Sequence, residues 1–285
     1  MPLWYVGIAP KGPCRRRPGA PAPTDRASDA LAGPRRRRDA RGGPVVRDPH
    51  IAAEFRRLRA VAREIGPLRE ERLALPRDGR AYAILRPADT DLLLDRSAAD
   101  PEQNLPYWAE IWPSGIALAD ALIRRPEEVR GKPALEIGSG LGVTATAALE
   151  AGADLHVADY SPESLLLCRL NALRNAGRQP GALQVNWRRP GWPLFRLAGG
   201  GFPVVLAADV LYEGRDAAPL LDLVGRLVAP GGLFWLAEPG RPVAGRFLAA
   251  ARDAGWLGET ETHDGPWPDP KDKGVVVSVH MLRRR

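Results

Sequence analysis

Leu135-Glu136-Ile137-Gly138-Ser139-Gly140-Leu141-Gly142 is a short apolar strand that runs straight into a glycine-rich turn, with a helix behind it. Glycine is needed where the backbone turns sharply and a ligand lies against it with no Cβ in between. Nicotinamide and flavin sites use such turns too, so two further details discriminate. The dinucleotide fingerprint GxGxxG requires glycine at position 143, where this chain has Val143. Glu136, two residues before the first glycine, is placed to meet a cationic or amino-bearing ligand rather than a pyrophosphate.

Outward from this turn the chain alternates. Strands are predicted at 134–137, 155–158, 183–186, 204–208 and 233–237, and helices at 142–151, 162–176, 217–228 and 243–254. Such alternation implies an α/β fold, a mostly parallel sheet with helices on both faces. Residues 257–262 and 275–281 form two more strands with no helix between them, so an antiparallel hairpin is expected to close the sheet. Upstream, a helix is predicted at 51–65, with Ile51, Phe55, Leu58 and Ala62 on one face. A β-hairpin follows at 68–75 and 80–85, then an irregular stretch from 87 to 106. An aromatic run Tyr107-Trp108-Ala109-Glu110-Ile111-Trp112 precedes a helix at 114–125.

The formal charge of +7 over 285 residues sits in one place. Residues 1–48 hold 11 of the 41 basic and 4 of the 34 acidic residues, which leaves the remainder formally neutral. A neutral body argues against a nucleic-acid-binding domain, whose affinity rests on a basic face. The first 48 residues, rich in Pro, Gly, Ala and Arg, are expected to be a disordered leader. Two cysteines, Cys14 and Cys168, make neither a disulfide framework nor a zinc pattern, and the four scattered histidines suggest no metal. No apolar run is long enough to span a membrane, and the start lacks the pattern of a secretory signal. A cytoplasmic monomer with no membrane partner is expected.

The strand ends carry the chemistry. Asp159 ends the second strand, where a carboxylate can accept both ribose hydroxyls of a nucleoside; Ser161 is the better candidate for capping the next helix. Trp187 follows the third strand, either stacked on an adenine ring or as an ordinary packing residue. Ala208, Asp209 and Tyr212 follow the fourth, in the crevice where ligands of open α/β sheets bind. Together with the glycine turn, this series favours S-adenosylmethionine as the cofactor.

In its order of motifs the chain resembles the seven-strand class I S-adenosylmethionine-dependent methyltransferases. The matching motifs are Glu136-x-Gly138-x-Gly140-x-Gly142, the acidic end of the second strand, Asn186-Trp187, and Asp209-x-x-Tyr212. More narrowly it is similar to the family 16 protein methyltransferases, which carry an acid-x-x-aromatic motif after strand four and a tryptophan where this chain has Trp112. Glu238-Pro239-Gly240-Arg241 looks most like the bacterial relatives of the electron-transfer-flavoprotein β-subunit lysine methyltransferase. Glu238 stands where those usually have aspartate. The resemblance covers roughly residues 105–254. It implies a Rossmann-like seven-strand methyltransferase sheet and cofactor contacts from Trp112, Gly138, Gly140, Asp159, Trp187 and Ala208, with Glu136 and Ser139 of the same turn. It places Asp209 and Tyr212 on the methyl-acceptor side. The organisation expected from the sequence as a whole is a disordered basic leader at 1–48, a helix-and-hairpin extension at 49–104, and an S-adenosylmethionine-binding methyltransferase domain at 105–285.

The implied activity is N-methylation of a protein, with a lysine ε-amine as acceptor. Holding lysine neutral at pH 7 costs roughly 4 to 5 kcal/mol, given a reference pKa of about 10.4. Burial against Trp112 and Tyr212 favours the neutral amine, whereas the Asp209 carboxylate favours the ammonium. Asp209 is therefore expected to bind and orient the incoming ammonium and not to act as a general base. The alternative is a small-molecule N-methyltransferase acting on a nicotinamide-like base, in a pocket built from Trp108, Trp112 and Tyr212. Asp209-Val210-Leu211-Tyr212 lacks the Asn/Asp-Pro-Pro-Tyr segment common in RNA methyltransferases.

Overall fold

The computed structural model describes residues 48–97 and 105–284. The disorder expected of the leader therefore falls almost wholly on residues outside those described. Helix α1 (Pro49–Ala62) starts where Asp48 accepts hydrogen bonds from the amides of His50, at 2.8 Å, and Ile51, at 3.4 Å. A side-chain acceptor there satisfies amides that have no partner within the helix. Strands β1 (Leu68–Ala74) and β2 (Ala81–Pro87) pair antiparallel from Leu68↔Pro87 to Ala74↔Ala81, as the hairpin reading expects. Within the stretch expected to be irregular lies a short helix, α2 (Asp91–Ser97). Asp89 accepts from the amides of Asp91 and Leu92 at its start, and its seven residues are too few to give a periodic signal.

The main sheet contains β3 (Pro133–Ile137), β4 (Asp154–Asp159), β5 (Gly181–Gln184), β6 (Phe202–Ala208), β7 (Val228–Glu238), β8 (Trp256–His263) and β9 (Val277–Arg284), in the order β5-β4-β3-β6-β7-β9-β8. β3 to β7 run parallel, and β9 pairs antiparallel with both β7 and β8. This is the Rossmann-like, mostly parallel seven-strand sheet with a terminal antiparallel hairpin that the sequence leads one to expect. The chain lays β3, β4 and β5 outward in one direction, then returns to place β6 and β7 on the other side of β3. A crevice opens where the direction reverses, at the carboxyl ends of β3 and β6.

Side chains of the central strands alternate between two buried faces. Ala134, Val204, Leu206, Leu233 and Trp235 pack on one side, beneath α3 (Pro113–Arg124), α4 (Val143–Ala151) and α5 (Pro162–Ala176). Leu135, Ile137, Val205, Phe234 and Leu236 pack on the other, beneath α6 (Trp192–Ala198), α7 (Ala217–Leu227) and α8 (Pro242–Asp253). Burial on both faces explains why these strands read as unbroken apolar runs. Phe234 makes edge-on contacts with Phe247, at 6.2 Å, and Trp256, at 6.1 Å, which pins α8 and β8 to β7. The α6 helix was not anticipated. Leu194 is its only fully buried residue and Trp192 is 68% exposed, so no apolar face marks it.

Two buried asparagines attach the N-terminal hairpin. On α5, Asn171 accepts from Leu85 N at 2.8 Å and donates to Leu85 O at 2.9 Å. One turn on, Asn175 does the same for Ala83, at 2.9 and 3.0 Å. The two amides supply the hydrogen bonds that an adjacent strand would supply to β2, so its buried backbone groups are satisfied. Leu58, Ala62, Tyr82 and Ile84 join the same core as α3, α4 and α5. The extension is thus packed into the body of the fold and does not stand apart from it.

Candidate active site

β3 delivers the chain into a turn whose glycines Gly138, Gly140 and Gly142 all have left-handed backbones, at φ 72°, 49° and 79°. At two of these positions space is decisive as well. A Cβ on Gly138 would come within 2.9 Å of Val210 Cγ1, and one on Gly142 within 2.8 Å of the Cys168 Cα. The turn is therefore pressed between the loop after β6 and helix α5.

Asp159, at the end of β4, holds this turn from the side. Its carboxylate accepts from Gly140 N at 3.0 Å, from Ser161 N at 3.1 Å, and, more distantly, from Ser139 Oγ at 3.5 Å. Ser161 caps α5 through Ser164 N at 3.1 Å, the role expected of it. Burial raises the Asp159 pKa, against the lowering effect of the Ser164 side chain and the backbone amides of Gly140, Ser161 and Tyr160. Glu136 lies buried at the end of β3, with its Oε2 atom lacking a hydrogen-bond partner. Burial, reinforced by the nearby Asp159 charge, holds its pKa well above the ordinary carboxylate range.

Of the residues singled out in the sequence, Trp112, Gly138, Gly140, Asp159, Trp187, Ala208, Asp209 and Tyr212 line one cleft of about 670 Å³. Glu136 and Ser139 are buried and are not among the lining residues: Ser139 stands in the turn between Gly138 and Gly140, and Glu136 in the strand that leads into it. Trp187 reaches the cleft from beyond β5, which ends at Gln184 and so earlier than the expected strand. Leu105, Tyr107, Trp108, Tyr160, Ser161 and Val210 complete the lining.

A second cavity adjoins the first, lined by Tyr107, Trp112, Asp209, Tyr212 and Arg241. Tyr107 meets Trp112 and Tyr212 edge-on, with ring centroids 6.1 and 5.2 Å apart. Trp112 Nε1 donates to Tyr107 O at 2.8 Å. Burial pushes the Tyr212 phenol up to about 12, so it stays protonated at neutral pH.

Asp209 has a left-handed backbone, at φ 56°, and its amide donates to Ala237 O at 2.9 Å. Its carboxylate accepts from Arg241 Nη1 and, at 3.4 Å, from Ser114 Oγ. Burial raises its pKa, Arg241 and Ser114 pull it down, and Glu238 adds to the upward push. Here the structure amends the sequence reading, which left this carboxylate open for an incoming ammonium: it already has a cationic partner. In the sequence Arg241 stands out only as the end of the Glu238-Pro239-Gly240-Arg241 motif. Its position after β7, beside the end of β6, marks it for the same crevice. Nothing local in the sequence marks Ser114.

Strand-end acids, the glycine turn and this sheet order together give a Rossmann-like domain with a cleft at the carboxyl ends of its parallel strands. The family model described as Methyltransferase domain matches residues 135–234. The chain is similar to the electron transfer flavoprotein beta subunit lysine methyltransferase of Homo sapiens, at 47% identity over 148 residues, covering 48% of this chain and 50% of that protein. The Rattus norvegicus protein of that name is 34% identical over 139 residues, 48% of this chain and 52% of its own length. Histone-arginine methyltransferase METTL23 of Homo sapiens is 29% identical over 116 residues, 40% of this chain and 60% of that protein. The chain thus spans about half the length of these lysine methyltransferase relatives. These relatives bear out the resemblance drawn from the motifs.

Proposed function

We propose that this chain is an S-adenosylmethionine-dependent N-methyltransferase whose acceptor is a lysine ε-amine of a protein. The observation that carries this reading is the joining of two cavities through shared walls at Tyr107, Trp112, Asp209 and Tyr212. One is a cleft on the glycine turn, with Asp159 and Trp187 in its wall; the other is a small aromatic chamber with a carboxylate in its wall.

The residues present fit the cofactor. The unpartnered Oε2 of buried Glu136 suits a nearby ammonium, and the left-handed glycines leave backbone free of side chains where a ligand would lie. Asp159 offers acceptor atoms for ribose hydroxyls, and Trp187 a surface for a purine ring. Bound there, S-adenosylmethionine supplies a methyl group already activated on a sulfonium. The protein's own part is to bring the acceptor into line, keep water out, and present a nitrogen with a free lone pair.

Tyr107, Trp112 and Tyr212 suit the aliphatic stem of a lysine, and Asp209 offers its oxygens to the amine at the end of that stem. A protein acceptor is favoured over a small base because the similar proteins are named for acting on an electron transfer flavoprotein subunit and on histones. The neutral charge of residues 49–285 argues against a nucleic-acid acceptor.

Incubating a cell lysate with the chain and tritiated S-adenosylmethionine tests this. Label is expected in a discrete protein band and, after hydrolysis, in methylated lysine. Label confined to the small-molecule fraction would overturn the protein-acceptor reading. Purified electron transfer flavoprotein beta subunit is the first acceptor to try.

A further inference from the structure

Arg241 stands at the N-cap position of α8 without a side-chain capping bond, and its guanidinium lines the outer cavity and bonds to Asp209. Its guanidinium carbon lies 5.9 Å from the Trp112 ring centroid, so the same group touches both the anion and an aromatic wall. Side-chain exposure is 31% for Arg241 and 7% for Asp209.

A bare carboxylate facing the acceptor would create a difficulty. It would bind an ammonium well and hold it in the protonated form, whose nitrogen has no lone pair to give. An arginine on the same carboxylate changes this. The pair is neutral as a whole, yet the carboxylate oxygens still accept hydrogen bonds. The guanidinium also disfavours a second cation beside it.

We propose that Arg241 is a positioning residue that cancels the Asp209 charge, so that an amine docked on this carboxylate is held as the free base. This rests on the amine-acceptor reading above. The ammonium releases its proton to solvent on docking. The freed nitrogen lone pair then forms the N–C bond while the pair of the breaking C–S bond stays with sulfur, and the positive charge passes from sulfonium to the methylated nitrogen.

Other charged and titratable groups surround the pair. Glu238, from the end of β7, is bonded to Gly240 N at 2.6 Å and to His280 at 3.3 Å. Tyr107 and Tyr212 form the aromatic side, with Glu213 behind and Arg188 engaged with Asp216 at 2.7 Å. Asp159 lies across the cleft. Most of these are anions or neutral, which leaves Arg241 as the cation bonded to Asp209 among the described residues.

The test uses n-butylamine, a lysine side chain without its backbone, as acceptor. Single-turnover transfer is followed from about pH 6 to about pH 10 for wild type, Arg241→Met and Arg241→Lys. In Arg241→Met the acidic limb should move up by at least about one pH unit, with transfer at pH 7 down by about tenfold and rates converging at the alkaline end. Arg241→Lys should restore most of the limb. A second readout is independent of turnover. Calorimetry of butylamine binding to the S-adenosylhomocysteine complex, in buffers of different ionisation enthalpy, should show proton release in wild type and much less in Arg241→Met. An unshifted limb with equal loss at every pH would make Arg241 a packing residue and overturn the proposal. Faster transfer at pH 7 would make it a competitor for the carboxylate and overturn it too. Failure of wild type to methylate the amine at any pH would overturn the amine reading and this inference with it, whereas an unshifted limb overturns the inference alone.

Discussion

Asn171 donates its side-chain amide to Leu141 O at 2.9 Å, and so fastens helix α5 to the glycine turn. The same nitrogen donates to Leu85 O in the N-terminal hairpin. One buried side chain therefore connects the N-terminal hairpin to the glycine turn beside the cleft.

Replacing Asn171 by leucine keeps its bulk and removes every one of these bonds. The backbone groups of Leu85 and Leu141 would be left buried without partners, each at a cost of about 1 to 3 kcal/mol. Asn171→Leu is expected to lower the urea midpoint by an amount equivalent to several kcal/mol and to weaken S-adenosylhomocysteine binding. Asn175→Leu, which bonds to Ala83 and not to the turn, should destabilise without a matching loss of affinity. Equal effects of the two variants on affinity would show that Asn171 has no special link to the cleft.

Glu136 gives a proton-linked signature of binding. Its pKa is raised by burial first and by the Asp159 charge second, so the free protein holds a proton there above the ordinary carboxylate range. A ligand ammonium favours the ionised form, so binding should expel that proton. Calorimetry of S-adenosylhomocysteine in buffers of differing ionisation enthalpy should register proton release for wild type and little for Glu136→Gln. The variant should also bind about ten- to a hundredfold more weakly, for loss of a charged hydrogen bond worth about 1.5 to 3 kcal/mol. Identical proton counts in the two proteins would remove Glu136 from the binding reaction.

Asp209→Asn separates acceptor chemistry from cofactor binding. Asparagine keeps the size and tolerates the left-handed backbone at this position. Transfer to the acceptor is expected to fall by about ten- to a hundredfold, from loss of a charge-assisted hydrogen bond of about 1.5 to 3 kcal/mol, with S-adenosylhomocysteine affinity nearly unchanged. Unimpaired transfer would exclude Asp209 from the acceptor site; parallel losses in transfer and affinity would move it to the cofactor side.

His263 links stability to pH. It is buried at the end of β8, with Nε2 3.1 Å from Glu261 Oε1, and burial lowers its pKa from 6.5 despite the opposing pull of Glu261. With a folded pKa below the unfolded one, the unfolded chain binds the extra proton first. The contribution is fully present above pH 6.5 and is lost as pH falls through the depressed folded value. The slope due to this one group is at most about 1.36 kcal/mol per pH unit. Denaturant midpoints between about pH 5 and about pH 8 should fall less steeply on acidification for His263→Gln than for wild type. Parallel curves would show that another group sets the acid limb.

The sheet was legible because both its faces are buried, so β3, β6 and β7 appear in the sequence as apolar runs separated by helices. Asp159, Trp187 and Asp209 could be drawn into one cleft from strand ends alone, because parallel strands deliver their following residues to a common edge. What stayed hidden depends on partners distant in the chain. Asn171 is a polar residue in a helix until Leu85 is brought against it, 86 positions away. The Asp209–Arg241 pair, 32 positions apart, likewise needs β6 and β7 to be set side by side. α2 and α6 were missed for a different reason: each is seven residues long, too short to display a period.

The left-handed backbone at Asp209 also bears on how this pocket changes its clientele. Aspartate, asparagine and glycine visit such a conformation readily, and longer or β-branched side chains do not. Of those three, aspartate alone carries a charge. Glutamate would preserve the anion but is poorly suited to the corner, so the acid cannot simply be lengthened to reach a shorter acceptor. Adaptation to a new acceptor is thereby channelled into Tyr107, Trp112 and Tyr212, whose rings can be exchanged while the anchor stays fixed.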